Sequence, residues 1–180
     1  VPHPVPHPRA AALPDGGVLL VSAQDGRAAR LSADLAAHEA LPALPDGDGA
    51  FCLGRAGDAL LACAVTGALY RLIPDGWEYR STPMPYDPFT FAALPDGRLA
   101  GVTYQGRLVQ TTPDWSMAAL APLPTGVAEG MTLSALGLGA DRRLYFAPCA
   151  TARVGRWDPE EDALREPQVV SPFPGQVDAF

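Results

Sequence analysis

The chain has 180 residues, of which 48% are hydrophobic, and a formal net charge of −7 at pH 7. A domain of this length can bury a sizeable core. Its acidic balance argues against a nucleic-acid partner, because phosphates require clustered Lys and Arg. No apolar run approaches the roughly 20 residues of a membrane span, and three Cys are too few for a disulfide framework.

The first predicted element is a Pro-rich arm at residues 1–9, which reads Val-Pro-His-Pro twice before Arg9. In a polyproline II conformation its two histidines, His3 and His7, stand about 12 Å apart and point ~120° away from each other. One metal ion therefore cannot bind both unless the arm bends. We interpret the arm as a stiff surface segment, with the tail of a preceding repeat as the alternative.

A hairpin pattern then recurs along the chain. The segments Gly17–Asp34, Asp58–Asp75 and Gly97–Asp114 align without a gap. Each contains an apolar strand, a turn with Gly and a second strand, and Gly supplies the positive φ that such turns need. A fourth copy, Arg142–Glu160, carries one extra residue near Cys149. The alignment predicts that Leu19, Leu60, Leu99 and Leu144 occupy equivalent buried positions.

The sequence between the copies has room for one strand before and one strand after each hairpin. Pro and Gly recur too often for helices of normal length. Four strands in a unit of about 40–46 residues is typical of a β-propeller blade. We therefore predict an all-β fold of four four-stranded antiparallel sheets. The predicted boundaries are 10–44 for blade one, 45–85 for blade two, 86–124 for blade three, 125–170 for blade four, and 171–180 for the start of a further inner strand.

The segments Leu94–Asp114 and Arg143–Pro159 carry a resemblance to known propellers. They resemble the repeats of six- to eight-bladed superfamilies, in particular streptogramin-lyase-like, gluconolactonase-like and NHL- or PQQ-type blades. The gluconolactonase resemblance implies a divalent metal held by Glu, Asp and Asn, but this sequence has no Asn. The lyase resemblance implies a channel histidine, whereas His38 falls in a predicted outer strand.

The predicted function is accordingly a non-catalytic binding or scaffolding module, without a metal or other cofactor. One alternative is a portion of a propeller hydrolase or lyase with a channel site. Another is a structural subunit that closes against a second chain.

Ala179-Phe180 align with Ala50-Phe51 at the start of a blade, so we expect a part of a larger or partner-completed propeller. A self-closed ring of four blades is the competing arrangement. The expected partner is a protein or the rest of the propeller. A small-molecule ligand is the alternative.

Two local patterns indicate ordinary structural features rather than binding sites. Cys52 and Cys63 flank a predicted Gly-Arg-Ala-Gly turn, and their spacing predicts a diagonal offset between two small buried thiols. There is no Cys-x-x-Cys motif that would favour zinc. The acidic residues around Pro159 lack the alternating ligand spacing of a calcium loop, so we expect a solvated turn there.

A candidate binding site follows from the irregularities of blade four. Its entry loop Thr125–Thr132 is longer than its counterparts, and the extra residue lies between its second and third strands. In an up-and-down blade these two loops emerge on the same face. Loops that depart from a structural repeat often carry the functional residues. The sequence therefore predicts a polar cluster for a ligand or partner, formed by Glu129, Cys149, Thr151 and Arg153. Neutral loop drift is the alternative.

Overall fold

The computed structural model describes Val5 and residues 7–122, 133–148, 153–159 and 168–172. Within these ranges the chain forms four four-stranded antiparallel sheets, and the strands of each sheet follow one another in chain order. The predicted all-β architecture is therefore confirmed. The predicted blade boundaries stay predictions. The described residues contain no helix that is long and apolar enough to cross a membrane.

The chain divides into two compact units, residues 1–88 and 89–180. The first unit holds blade one and blade two. Blade one consists of β1 (Pro8–Ala12), β2 (Val18–Ser22), β3 (Ala28–Leu31) and β4 (His38–Leu41), and blade two of β5 (Ala50–Ala56), β6 (Ala59–Ala64), β7 (Leu69–Ile73) and β8 (Gly76–Ser81). Apolar side chains from both sheets form one core, in which Leu19, Val21, Ala62 and Tyr70 are buried.

The second unit holds the other two sheets. Blade three consists of β9 (Phe89–Ala93), β10 (Leu99–Thr103), β11 (Arg107–Thr111) and β12 (Met117–Pro122), and blade four of β13 (Leu133–Leu138), β14 (Leu144–Pro148), β15 (Arg153–Trp157) and β16 (Gln168–Pro172). Their shared core contains Val102, Leu108, Leu144, Phe146 and Trp157. Alternation along the strands places these side chains on the facing surfaces of two packed sheets.

The turn between the first and second strands of each blade requires a positive φ. The residues with this conformation are Gly16, Gly57, Gly97 and Arg142. Gly adopts it without steric cost, whereas Arg142 pays a penalty for its Cβ. Residue 142 thus takes the structural position of a turn glycine.

The predicted equivalence of the four leucines is wrong for Leu19. Leu19 and Leu60 belong to the same core between blades one and two, so they face each other from opposite sheets. Strand pairing shows that Val18, opposite Ala12, corresponds to Leu99, opposite Ala93. Leu19 is therefore one position further along its strand and points to the other side of the sheet.

A longer turn in blade one explains the shift. The last pair before the turn is Val21 with Ala28 in blade one, but Val102 with Leu108 in blade three. The Ser22 Oγ accepts hydrogen bonds from the backbone N–H groups of Gln24 and Asp25, at 3.1 and 3.2 Å. This side chain holds the extra turn residue, which a gapless alignment cannot detect.

The predicted diagonal offset of the two cysteines is also wrong. The hairpin turn lies at Gly57-Asp58, between the paired residues Ala56 and Ala59, and Cys52 is the direct partner of Cys63. Both cysteines are thiols in the structure, Cys63 buried and Cys52 half-buried.

The N-terminal arm is not wholly at the surface. Val5 is buried against Leu20 and Ala29 on blade one, and the His7 carbonyl accepts a hydrogen bond from the Ala23 N–H at 3.2 Å. At these residues the arm packs on the blade.

Candidate functional site

A groove opens between the sheets of blades one and two, at the end where the turns Leu13–Gly17 and Pro74-Asp75 lie. We refer to it as the interblade groove. It has a volume of about 480 Å³, within the range of small ligand sites. Its lining consists of Leu13, Pro14, Asp15, Leu19, Arg30, Glu39, Leu41, Leu60, Leu72, Ile73 and Pro74.

The walls of the groove are apolar. Leu19 and Leu41 face it from blade one, and Leu60 and Leu72 face it from blade two. Leu19 is fully buried, whereas the other three are only partly buried. These leucines extend the core between the two sheets as far as the groove. Their exposed parts form an apolar surface that a side chain of a ligand could cover.

An ion pair lies along one side of the groove. The Arg30 guanidinium donates to Asp15 Oδ2, and both side chains are about half exposed. The Gly17 N–H donates to Asp15 Oδ1 at 3.0 Å. The Gly17 hydrogen bond first, and then Arg30, hold the pKa of Asp15 below its ordinary value of 3.8. Asp15 is therefore a fixed anion at neutral pH.

Glu39 adds a second carboxylate beside this pair. Strand pairing places Arg30 directly opposite Glu39 on one side and Leu19 on the other, so the three side chains form a row across blade one. Glu39 is exposed, and Arg30 is already paired with Asp15. The row thus offers one carboxylate that accepts hydrogen bonds from outside the sheet.

A smaller cavity of about 300 Å³ continues from the groove over the outer part of blade one. It shares Asp15, Arg30 and Glu39 with the groove and adds Ser32, Ala33, Ala37 and His38. Strand β4 runs beside this cavity. Within the described sheet β4 pairs with β3 along one edge, and its other edge has no partner strand.

The outer strands of the two blades are joined next to the groove. The Trp77 Nε1–H donates to the Pro42 carbonyl at 2.9 Å. A Cβ added at Gly76, whose φ is 138°, would lie 3.4 Å from the Pro42 Cβ. These contacts hold the two groove walls in one arrangement.

Asp15 and Asp34, at this end of blade one, are suited to binding rather than to proton transfer. The Ser32 hydroxyl lowers the pKa of Asp34, as the Gly17 N–H lowers that of Asp15. A general base works best with a pKa near the operating pH. Across the described ranges, no three His, Cys, Asp or Glu side chains are grouped to hold a metal ion.

The predicted cluster in blade four is not tested by the structure. Glu129, Cys149 and Thr151 lie outside the described residues, and Arg153 is described only as the first backbone position of β15. The expected loop geometry does hold in blade two, where the Val65 N–H of the second turn donates to the Gly49 carbonyl of the entry loop at 2.9 Å.

Sequence reasoning missed the interblade groove. A usable signal was present in Arg30, a charged residue between Ala29 and Leu31 in a short strand, and in Glu39 of the next strand. Because a gapless alignment misplaced Leu19, the side of blade one that carries this row was not recognised.

No protein-family model matches the chain, and no curated protein matches its sequence. Solved structures do match its fold. A streptogramin B lyase superposes with a TM-score of 0.72 at 17% identity, over 95% of this chain and 57% of its own. A protein assigned as a gluconolactonase gives 0.71 at 15%, over 95% and 66%. YCF48, bound to a D1 peptide, gives 0.62 at 16%, over 91% and 53%.

This chain has the β-propeller fold. The predicted resemblance to streptogramin-lyase-like and gluconolactonase-like propellers is confirmed at the level of fold. The chain spans between about half and two thirds of the length of these propellers.

Proposed function

We propose that this chain is a binding module, and that the interblade groove is its binding site. The observation that carries the proposal is an apolar groove of about 480 Å³ with a fixed ion pair and a spare carboxylate along one side. Binding sites combine an apolar lining with few polar groups that set orientation. The groove has this composition.

The proposed occupant is a peptide segment of a partner protein. An apolar side chain would fill the space between Leu41 and Leu60, and a neighbouring Lys or Arg would approach Glu39. The open edge of β4 supports an extended peptide, because an exposed strand edge offers backbone hydrogen bonds. YCF48, which has a similar fold, binds a peptide.

We further propose that the four blades belong to a larger propeller. The similar solved chains are longer, since this chain covers 53–66% of them. An antibody against these 180 residues should detect a longer polypeptide on a denaturing gel of the source extract. The 180-residue chain in a larger native complex would instead indicate a subunit that closes against another chain. The 180-residue chain as a native monomer would contradict both.

Peptide binding can be tested with a labelled Gly-Leu-Lys-Leu-Gly peptide and a matched Gly-Leu-Glu-Leu-Gly peptide. By fluorescence polarisation the Lys peptide should bind about two- to fivefold more tightly, as expected for one exposed ion pair. Glu39→Gln should remove that preference. Glu78→Gln is the matched control, because Glu78 pairs with Arg80 and does not line the groove.

Leu60→Trp should block binding of both peptides, because the larger side chain occupies the groove. Circular dichroism establishes whether this variant keeps its sheets. Equal affinity for the two peptides, or binding unchanged by Leu60→Trp, would contradict the groove assignment. If only the Glu129→Ala, Arg153→Ala double variant lost binding, the site would be the predicted cluster in blade four instead.

A second candidate function is part of a hydrolase or lyase, which is favoured by the streptogramin B lyase and the assigned gluconolactonase among the similar folds. It is tested by incubating the chain with a streptogramin B or with a gluconolactone and measuring conversion by mass spectrometry. Conversion above the buffer control, lost in heat-denatured protein, would favour this function over the binding module.

A further inference from the structure

Cys52 and Cys63 face each other across the first hairpin of blade two because of a β-bulge. Ala50 pairs with Ala64, and the register then shifts by one residue before Cys52. Regular pairing from Ala50 would bring Phe51, not Cys52, opposite Cys63. The bulge therefore determines which side chain meets Cys63, a known effect of bulges.

The spacing of such a pair suits a disulfide. Directly opposed residues of antiparallel strands have Cα atoms about 4.5 or 5.5 Å apart, depending on the pair type. Disulfides span Cα distances of about 4.4–6.8 Å. The two side chains also project from the same face of the sheet. Bond formation thus requires rotation of the thiols, and the strands keep their register.

The two thiols differ in access to solvent. Cys63 is fully buried, whereas Cys52 is partly exposed. The Cys52 Sγ contacts its neighbouring Leu53 carbonyl at 3.5 Å, and the Cys63 Sγ contacts the Ala64 carbonyl at 3.7 Å. A reagent in solution therefore reaches Cys52 first.

We propose that Cys52 and Cys63 are a redox-active pair that forms a cross-strand disulfide by exchange with a small disulfide such as oxidised glutathione. The Cys52 thiolate attacks one sulfur of that disulfide, forms a mixed disulfide and expels the first thiolate. Cys63 then loses its proton to water, and its sulfur attacks the Cys52 sulfur and releases the second thiolate. The protein loses two hydrogens, and one glutathione disulfide becomes two glutathione thiols.

The test uses the full chain with Cys149→Ser, so that only this pair reacts. The folded protein is treated with oxidised glutathione at pH 8, unreacted thiols are alkylated, and the intact mass is measured. We expect loss of two hydrogens and no alkylation in the oxidised protein, with recovery of two alkylated thiols after treatment with dithiothreitol.

Single variants separate the two roles. Cys63→Ala should stop at a stable mixed disulfide on Cys52, because the second thiol is missing. Cys52→Ala should form an adduct at least tenfold more slowly, because Cys63 is buried. Circular dichroism controls for folding. Two alkylated thiols after oxidation of the folded protein, or equal adduct formation by both variants, would overturn the proposal.

Discussion

Gly67 lies directly against the backbone carbonyl of Met84, whose oxygen occupies the space that a Cβ on residue 67 would need. Gly67 belongs to the turn between the second and third strands of blade two, and Met84 to the segment that leaves its fourth strand. The Tyr86 N–H donates to the Thr66 carbonyl at 2.8 Å in the same place. The turn and the exit segment are thus packed backbone to backbone.

Gly67→Ala should lower the free energy of unfolding by about 3 kcal/mol or more. The loss has two causes, the positive φ of 85° at residue 67 and the clash of the new Cβ with the Met84 carbonyl. Urea unfolding measures this loss. Gly97→Ala is the matched control, because Gly97 has a φ of 88° and nothing within 4 Å of the added Cβ. Equal losses in the two variants would contradict the close contact with Met84.

The turn glycines were predictable from the sequence, and the contact with Met84 was not. A Gly between two apolar runs indicates a hairpin by itself, since only the local φ is involved. Whether another backbone segment packs against such a glycine depends on the path of the chain after the fourth strand. The same distinction explains why four sheets were predicted correctly while Leu19 and the cysteine pair were misplaced. Each of those two depends on a single residue in a turn or a bulge.

Leu19→Ala should destabilise the chain more than Leu60→Ala. Leu19 is fully buried in the core between blades one and two, so its truncation should cost ~2–5 kcal/mol. Leu60 is only partly buried and borders the interblade groove, where its loss enlarges an existing space. We expect about 1–2 kcal/mol there. Urea unfolding of both variants measures the two losses. A larger loss in Leu60→Ala than in Leu19→Ala would contradict an open groove beside Leu60.

Thr111→Val should destabilise blade three by about 1–3 kcal/mol, because it leaves a buried backbone donor without its partner. The Thr111 side chain is fully buried, and its Oγ1 accepts a hydrogen bond from the Leu99 N–H at 2.9 Å. The same hydroxyl donates to the Thr112 carbonyl at 2.9 Å. Valine has nearly the same shape, so the hydroxyl is the main difference. Thr111→Ser keeps the hydroxyl, and a loss as large as that of Thr111→Val would attribute the effect to the methyl group. Thermal and urea unfolding report the difference.

The carboxylate of Asp15 should make the stability of the chain sensitive to acid. The Gly17 N–H and Arg30 lower the pKa of Asp15 in the folded state below 3.8, so the folded protein binds this proton less readily than the unfolded chain. The contribution is complete above about pH 5 and is lost as the pH falls from 3.8 through the lower folded pKa. Urea midpoints measured from pH 6 down to pH 2.5 should therefore fall less steeply in Asp15→Asn than in the wild type. Asp75→Asn serves as the control, because Asp75 is an exposed turn residue of blade two. The control should follow the wild-type curve, whereas an Asp15→Asn curve parallel to the wild type would show that the Gly17 hydrogen bond and the Arg30 ion pair do not couple to folding.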